Sequence, residues 1–451
     1  MFEDEVFSVT DVTEEIERLN RPSKKVKWRP LDRVSFDLTI PPTVYPPRQD
    51  TDLLARRIAA LGPGQGKSLL EIGCGSGAIS IFAASLGWKI HACDVNPFSV
   101  VATRGNMAEL GYEAEIKEGG VGPEGIPFTG KFDLIVWNLP YIKPDEVTDV
   151  LGPMEEAALL DSDTYGLAGR LLKNIKRRDL LNTRGKILLL GRECKNLGGF
   201  GFAYREWDRI RFDDDETLVI TCLWNPWSEA KYSYIEETGS TNTDLMGKSG
   251  VGTRLRAGRQ FAGKGRRNRK WTSIEGCYAA SWIISEKEDL NPGNLQLAGG
   301  IAVLNSLKND ALMLKWPNDI IFDSRKMCGI LVEGQSSSKG VKVVLGIGIN
   351  LKAGEHDDDV EIASFDEIGN ISAEELDPIL HAELASLLEE RNDLPKARPD
   401  AIRAKALEHI SAFGRPVLNG NIYEKFELNQ KCELVLSDGT IITDGEDIEW
   451  I

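Results

Sequence analysis

In the first half of the chain, the pattern of apolar and polar positions predicts short strands that alternate with helices. Ser68–Ile72 (SLLEI) is an apolar run of strand length, a glycine-rich turn follows at 73–77 (GCGSG), and residues 78–86 begin a helix. A second apolar run, Lys89–Asp94 (KIHACD), ends in an acid. Because strands separated by single helices are typical of a parallel sheet, this half is predicted to be a doubly wound α/β domain.

The same pattern predicts the domain boundaries. Apolar runs at 132–137 and 185–190 extend the sheet, segments 209–211 and 218–224 indicate a closing hairpin, and a turn-rich break follows at 225–228 (NPWS). Beyond residue 413, short alternating strands at 432–436 and 441–443 flank a tight turn. We therefore predict an amino-terminal arm (1–40), a doubly wound α/β domain (41–228), a second domain (229–412) and a small module of short strands (413–451).

Composition narrows the class of protein. The 451 residues carry a formal net charge of −16 and a sequence pI near 5.0, which argues against a broad basic surface that coats nucleic acid. The acidic first residues lack the features of a secretory signal, and no apolar run has the length of a membrane helix. Seven cysteines without a Cys-x-x-Cys pair indicate reduced thiols. The expected location is the cytoplasm, with small substrates or individual proteins as partners.

Candidate chemistry in the first half lies at strand ends. Asp94 follows the first glycine of the turn by about 20 residues, where an acid can accept hydrogen bonds from ribose hydroxyls. Residues 138–141 (NLPY) follow another apolar strand. An asparagine amide there, with adjacent carbonyls, can accept hydrogen bonds from an amino group while a tyrosine ring stacks on it. This suits methylation of a planar nitrogen; the alternative interpretation is a proline turn with a core tyrosine.

These segments, together with VYPPRQDTD at 44–52, resemble the HemK family of S-adenosylmethionine-dependent methyltransferases, and the branch that modifies the glutamine of the Gly-Gly-Gln motif in peptide release factors above all. The resemblance covers about residues 41–225 and implies a Rossmann-type class I methyltransferase domain. It implies binding of S-adenosylmethionine by Thr51, Glu71, Gly73, Gly75, Asp94 and Asn138, and binding of the methyl acceptor by Asn138 (also catalytic), Pro140 and Tyr141.

The acceptor is left open by one departure from the family pattern. The usual Asn-Pro-Pro-Tyr is Asn-Leu-Pro-Tyr here, a form also found in rRNA adenine dimethylases. An adenine in RNA or DNA therefore stays an alternative acceptor to a release factor. A domain that only holds a carrier protein or nucleic acid, without catalysis, is the further alternative.

Two segments of the second half together describe a site for an acyl-adenylate. Residues 263–271 (GKGRRNRKW) form a cationic glycine loop whose backbone can approach a phosphate while its lysines and arginines neutralise the charge. Residues 315–319 (KWPND) place Lys315 at the end of an apolar strand, 311–314, before a turn. Taken alone, each is consistent with a solvated loop or an ordinary strand exit.

In chain order, ETGSTNTD at 237–244, GRQFA at 258–262, the loop, the lysine turn, RKMCGILVE at 325–333 and GIGIN at 346–350 resemble the biotin protein ligases. Lipoate ligases are the alternative within the fold. The resemblance implies an α/β catalytic domain (229–412) followed by a small SH3-like β-barrel (413–451). It implies ATP, biotin and Mg²⁺ as ligands, with the residues that would hold the metal unknown, and the biotin carboxyl carrier domain of a carboxylase as partner. It implies catalysis by Lys315 and Arg266, biotin binding by Ser240, Thr241, Gln260, Gly263, Lys264, Arg266 and Lys315, and ATP binding by Arg266, Arg269, Trp271 and Asn350.

Overall fold

The structure is a computed structural model, and it describes residues 21–140, 166–192, 197–212, 216–268, 270–271, 276–338, 340–354 and 362–451. The chain divides into two compact units. The amino unit comprises residues 1–200 and 204–225, and the carboxyl unit comprises 226–451 with the short piece 201–203. Among the described residues, no helix combines the length and the apolar character that crossing a membrane requires.

The strands of the amino unit are β1 Lys24–Leu31, β2 Val34–Ile40, β3 Ser68–Ile72, β4 Lys89–Asp94, β5 Ala114–Glu118, β6 Phe132–Asn138, β7 Leu181–Gly191, β8 Ala203–Arg211 and β9 Thr217–Trp224. Its described α-helices are α1 Gln49–Ala60, α2 Ala78–Ser85, α3 Pro97–Glu109 and α4 Gly166–Arg178.

The amino unit is built on a seven-stranded sheet of order β5-β4-β3-β6-β7-β9-β8. Strands β3 to β7 are parallel, and β9 runs antiparallel to β7. The strand order reverses between β3 and β6, and open α/β sheets bind ligands at such a switch point.

The basic segment of the amino-terminal region is a strand pair. Strands β1 and β2 form an antiparallel hairpin whose buried face carries Trp28, and the Trp28 indole N–H donates to Asp52 Oδ1 of α1 at 2.7 Å. On the other side, Asn106 of α3 exchanges hydrogen bonds with the backbone of Thr39. The described part of this region is therefore packed on the domain, whereas the sequence pattern suggested a surface arm.

The strands of the carboxyl unit before its last residues are β10 Tyr232–Thr238, β11 Arg254–Gln260, β12 Gly263–Lys264, β13 Lys270–Trp271, β14 Tyr278–Ser285, β15 Met313–Lys315, β16 Asp319–Phe322, β17 Arg325–Ser337 and β18 Gly340–Ile349. Its described α-helices are α5 Thr241–Met246, α6 Pro292–Leu307, α7 Ala373–Leu388 and α8 Pro399–Phe413.

This unit has its own seven-stranded sheet, of order β10-β11-β14-β18-β17-β16-β15, and among the described pairings of this sheet only β10–β11 is parallel. Helix α6 lies close to the sheet, because Gly299 and Gly300 leave no Cβ between the helix and Ile330 or Leu314.

The turn predicted as a domain boundary contributes to the core of the carboxyl unit. Trp227 is 7% exposed, its ring lies 5.2 Å from the His381 ring, and its backbone N–H donates to Glu389 at 2.8 Å. A Cβ on Gly252 would lie 2.3 Å from Trp227 Cγ, so only glycine fits over this indole. The turn is thus held by tertiary packing.

The last residues form two small sheets. One has the order β20-β19-β24 and the other β21-β22-β23. Their strands are β19 Pro416–Leu418, β20 Asn421–Ile422, β21 Phe426–Leu428, β22 Leu434–Leu436, β23 Ile441–Ile442 and β24 Glu449–Trp450. Mixed α/β architecture is confirmed for the chain, but the described ladders at 413–451 do not close into the barrel that the resemblance to biotin ligases implied.

Candidate active sites

The glycine turn after β3 brings backbone close to the end of β4. Gly73, Gly75 and Gly77 have φ of 66°, 51° and 80°, a region that side chains with a Cβ rarely adopt. The backbone N–H groups of Gly73 and Cys74 donate to the Cys93 carbonyl, at 2.8 and 3.1 Å. The turn is therefore tight, and its glycines leave the backbone uncovered by side chains of their own.

Asp94 closes this turn from the neighbouring strand. One carboxylate oxygen accepts from the Gly75 N–H at 2.9 Å and the other from the Asn96 N–H at 2.9 Å. Burial raises the pKa of Asp94, and these backbone hydrogen bonds lower it again in part. The sequence-predicted residues Gly73, Gly75 and Asp94 thus lie together.

Glu71 lies beneath the turn. Its carboxyl group accepts a hydrogen bond from the Ser80 hydroxyl of α2, and it is 6% exposed. Burial raises the pKa of Glu71 to about 8. The described contact of this side chain is therefore with α2.

Asn138 ends β6 directly beside β3. Its Nδ2 donates to Asp50 Oδ2 at 2.8 Å, while its Oδ1 is buried and accepts no hydrogen bond from a described residue. Leaving such an oxygen unpaired costs about 1–3 kcal/mol, which suits an acceptor reserved for a ligand. Pro140, also a sequence-predicted residue, is buried at the end of this described segment, and the predicted Tyr141 lies outside the described residues.

Thr51 and Asp50 complete this group from the first turn of α1. Thr51 Oγ1 donates to Asp50 Oδ1 at 3.1 Å and accepts from the Arg48 N–H at 3.2 Å. The sequence predicted Thr51 as a site residue and missed Asp50. Asp50 lies in the segment at 44–52 that carries part of the resemblance, but its contact with Asn138, 88 positions away, could not be read from that segment.

The carboxyl unit contains a cavity of about 230 Å³ at the end of its sheet. Its wall is formed by segments that lie far apart in the sequence. They include α5, the cationic loop (263–271), the lysine turn (315–319) and the last module (413–451). Among its lining residues are Ser240, Thr241, Gln260, Lys264, Arg266, Arg267, Trp271, Lys315, Gly329, Gly346, Gly348, Asp444 and Glu446. Most of the sequence-predicted ligase residues are therefore brought together.

A chain of hydrogen bonds fixes the polar wall. Gln260 Oε1 accepts from the Thr241 backbone N–H and hydroxyl, at 2.8 and 3.0 Å, which leaves the Gln260 amino group as the end that can donate to a ligand. The Thr241 hydroxyl lies 2.6 Å from the Ser281 hydroxyl, which donates to Asn242 Oδ1, also at 2.6 Å. Asn242 in turn donates to Glu333 at 2.7 Å. The sequence missed Asn242 and Ser281 as members of the site.

Glycines keep the floor of the cavity flat. A Cβ on Gly348 would lie 2.6 Å from Trp271 Cε2, and one on Gly329 would lie 2.9 Å from Trp271 Cζ3. At Gly346 the added atom would meet Asn242 Oδ1 at 2.3 Å. The indole of Trp271 thus lies directly on the strand backbone, with Lys326 Nζ 5.7 Å from its ring centre.

The cationic loop is held by acids of the last module. Arg266 Nη2 lies 3.7 Å from Asp444 Oδ2, and the Arg267 guanidinium forms ion pairs with both Asp444 and Glu446. At the other end of the loop, Lys264 Nζ is 4.0 Å from Glu333. These acids were not among the predicted site residues, because their positions depend on how the last module folds against the loop.

Two further loop predictions have different outcomes. Gly263 pairs with Trp271 in the β12–β13 hairpin, and a Cβ there would lie 2.8 Å from the Trp271 carbonyl oxygen, so this glycine shapes the loop. Arg269 lies outside the described residues.

Lys315 ends β15 and is half-buried at the cavity wall. The turn that follows is fixed by the Trp316 indole, whose N–H donates to the Cys432 carbonyl at 3.0 Å, and by Asn318, whose Nδ2 donates to the Ile330 carbonyl, also at 3.0 Å. The lysine is therefore carried on a rigid support.

Asn350 is placed differently from the other predicted residues. It is 2% exposed, and its Nδ2 donates to the Ala363 carbonyl at 3.2 Å. It is not among the described residues that line the cavity. In this structure the Asn350 side chain therefore holds the backbone at Ala363 and does not form part of the cavity wall.

Known proteins resemble the two halves separately. Residues 248–350 match the Biotin/lipoate A/B protein ligase family, and residues 69–157 match a methyltransferase domain family. The biotin--[acetyl-CoA-carboxylase] ligase of Mycobacterium tuberculosis is 31% identical over 219 residues, 44% of this chain and 80% of the relative. That of Paracoccus denitrificans is 35% identical over 128 residues, 26% of this chain and 53% of the relative, so the match spans about half of that protein.

For the amino half, a candidate protein N5-glutamine methyltransferase of Methanocaldococcus jannaschii is 35% identical over 116 residues, 24% of this chain and 53% of the relative. The predicted fusion of a methyltransferase domain with a biotin ligase domain is thus confirmed. By the extent of its match to the Mycobacterium protein, the chain belongs to the biotin protein ligase family.

Proposed function

We propose that the carboxyl unit joins biotin to a carrier-protein lysine through biotinyl-5′-AMP. The observation that carries this proposal is that one cavity combines a polar wall at Gln260 and Thr241, a cationic loop and Lys315. In the first step a biotin carboxylate oxygen attacks the α-phosphorus of ATP and pyrophosphate leaves. In the second, the carrier amine attacks the acyl carbon and AMP leaves.

The residues have separate roles in this scheme. Lys315 and Arg266 neutralise the α-phosphate as negative charge builds up in the transition state. The Gln260 amino group donates to the biotin, Ser240 lies beside it in the cavity wall, and Thr241 orients the Gln260 amide. Mg²⁺ would be held by the phosphates of ATP and would neutralise the pyrophosphate that leaves.

The acceptor and the last module follow from the same proposal. Because the relatives are named for acetyl-CoA carboxylase, the acceptor we propose is the biotin carboxyl carrier domain of a carboxylase. Residues 413–451 would act as the SH3-like module, closing the cavity through Asp444. ATP and the reduced cysteines suit the cytoplasm.

Replacing Lys315 with alanine tests the ligase proposal. Loss of one fixed charge in the transition state should cost on the order of 3 kcal/mol, about a hundredfold in the rate of adenylate formation. The measurement is pyrophosphate release from biotin and ATP by the full chain, with exposed Lys396→Ala as the matched control. Adenylate formation at the wild-type rate in Lys315→Ala would remove Lys315 from the mechanism.

We propose further that the amino unit methylates a planar nitrogen with S-adenosylmethionine, which supplies an electrophilic methyl group. The carrying observation is Asn138 Oδ1, a buried oxygen that accepts no hydrogen bond from a described residue and lies at a strand end beside the glycine turn and Asp94. The turn and Asp94 fit the amino acid and ribose parts of the cofactor, while Asn138 Oδ1 accepts an N–H of the acceptor. The glutamine amide of a release factor is the acceptor we propose, in line with the glutamine methyltransferase relative.

An adenine in RNA is the second candidate acceptor. It is favoured by Leu139 in the Asn-Leu-Pro motif and by the exposed side chains of Lys25, Lys27 and Arg29 on the outer face of β1. Salt separates the two acceptors, because binding through several phosphates weakens steeply as salt is added.

Replacing Asn138 with alanine tests this second activity. Calorimetry with the full chain should show S-adenosylmethionine binding retained, while methyl transfer to a purified class I release factor is lost. Asp94→Ala should instead weaken cofactor binding by about 1–3 kcal/mol, through lost hydrogen bonds. If the wild-type chain binds no S-adenosylmethionine, the amino unit is an inert binding module.

A further inference from the structure

Asp50 is a buried acid of the amino unit that contacts the candidate site residue Asn138. It lies in the first turn of α1, is 3% exposed, and has both carboxylate oxygens engaged. Oδ1 accepts from the Thr51 backbone N–H at 2.6 Å, and Oδ2 accepts from Asn138 Nδ2 at 2.8 Å. A helix N-terminus favours negative charge, so this position supports an ionised carboxylate.

An ionised carboxylate can only accept hydrogen bonds, and this fixes the orientation of the Asn138 amide. If the amide rotated by half a turn, its oxygen would face the Asp50 oxygen and both would lose a favourable contact. The amino group of Asn138 therefore stays on Asp50, and Oδ1 stays on the opposite side. Asn138 Oδ1 is thus left buried, and no described residue donates a hydrogen bond to it.

We propose that Asp50 is a positioning residue for methyl transfer, which holds Asn138 Oδ1 as the acceptor for an N–H of the methyl acceptor. This inference rests on the proposed methyltransferase function. In the reaction the acceptor nitrogen forms a bond to the methyl carbon, and the carbon–sulfur bond breaks with its electron pair going to sulfur. The nitrogen then loses one proton to water.

Two effects of Asp50 follow from this geometry. With one N–H held by Asn138 Oδ1, the lone pair of the nitrogen is kept at a fixed angle for attack. The negative charge of Asp50, passed through the polarised amide, also stabilises the positive charge that develops on the nitrogen. Both effects belong to the transfer step, and neither requires Asp50 to contact the cofactor.

The test is Asp50→Asn in the full chain. Asparagine has the same shape, but it can donate as well as accept, so it no longer selects one orientation of Asn138. We expect kcat for methylation of a class I release factor to fall at least tenfold, while S-adenosylmethionine affinity changes less than twofold. Asp52→Asn is the matched control, since Asp52 lies in the same helical turn but accepts from Trp28.

A double-mutant cycle separates positioning from a general structural role. If Asp50 acts through Asn138, then Asp50→Asn should cause no further loss of kcat in an Asn138→Ala background. A loss that multiplies with that of Asn138→Ala, or an unchanged kcat in the single variant, would overturn the proposal.

A second readout is independent of the methyl acceptor. In chains labelled with ¹⁵N-asparagine, the Asn138 amino protons should exchange slowly with water, and Asp50→Asn should abolish this protection. Fast exchange in the wild-type chain would refute the Asp50 contact whatever its activity. Slow exchange in a chain that methylates neither a release factor nor RNA would instead retain the contact and refute the proposed function.

Discussion

The Glu71 side chain combines deep burial with a single described hydroxyl partner. Its pKa, raised by burial to about 8, lies above the ordinary value of 4.5, so between these values the folded chain holds a proton that the unfolded chain has lost. Stability from this group is therefore fully present below about pH 4.5 and falls as pH rises toward 8.

Glu71→Gln should remove this pH dependence, since the amide stays neutral throughout. The measurement is hydrogen–deuterium exchange of Ser68–Ile72 in the wild type and in Glu71→Gln at the same pH. We expect the ratio of the two protection factors, wild type over variant, to be lower at pH 8 than at pH 5. Exposed Glu113→Gln serves as the control and should match the wild type at both pH values. An equal ratio at the two pH values would mean that Glu71 is not held neutral.

Single residues differ in how far the sequence could predict them. The glycines of the turn and Asp94 were predictable, because their spacing is local and only glycine tolerates the required φ. Asp50, Ser281 and Asp444 were not, because each acts through a partner brought near by folding, such as Thr241 and Ser281, which are 40 positions apart. Lys315 was predictable in place, although its rigid support by Cys432 was not.

At the level of elements, the cationic loop depends on an acid outside it. Asp444 is buried at its cavity position and pairs with Arg267, which is 57% exposed on its side chain. Because the Arg267 side chain is exposed, solvent screens this pair, and ion pairs screened in this way contribute only about 0.2–1 kcal/mol each. The loop is therefore held by a small margin.

Asp444→Asn should therefore loosen the loop and release the adenylate a few-fold faster. The measurement is indiscriminate biotin labelling of a bystander protein, relative to labelling of the carrier domain. Asp447→Asn, exposed in the same turn, is the control. Retention of the adenylate as tight as in the wild type would show that the acid does not hold the loop closed.

The element predictions failed mainly where strands are short. The pattern predicted a strand at 432–436, but β22 begins at Leu434, because Cys432 has a φ of 63° and its N–H closes a turn onto the Asn429 carbonyl. The strands of the last module have two or three residues each, too few to carry the continuous pairing of a closed barrel. Longer elements such as β3, β4 and β6 match the apolar runs, because their burial dominates their local sequence.

For the whole molecule, each site is built from described residues of one unit. Asn138, Asp50 and Asp94 belong to the amino unit, whereas Thr241, Lys315 and Asp444 belong to the carboxyl unit. Loss of ligation in Lys315→Ala should therefore leave methylation unchanged, and loss of methylation in Asn138→Ala should leave ligation unchanged. The fusion itself could be predicted from the sequence because the motifs of one family all lie in the first half of the chain and those of the other all lie in the second half.

The position of Asp444 in the cavity wall has a consequence for the synthesis of the chain. Translation delivers Thr241 early and Asp444 late, although the two end up around one cavity. The described site residues of the amino unit end at Pro140 and its last strand ends at Trp224, so this unit can fold while the ribosome is still elongating. A message cut short before codon 444 would therefore encode a polypeptide with the methyltransferase side chains in place and a ligase cavity open to water.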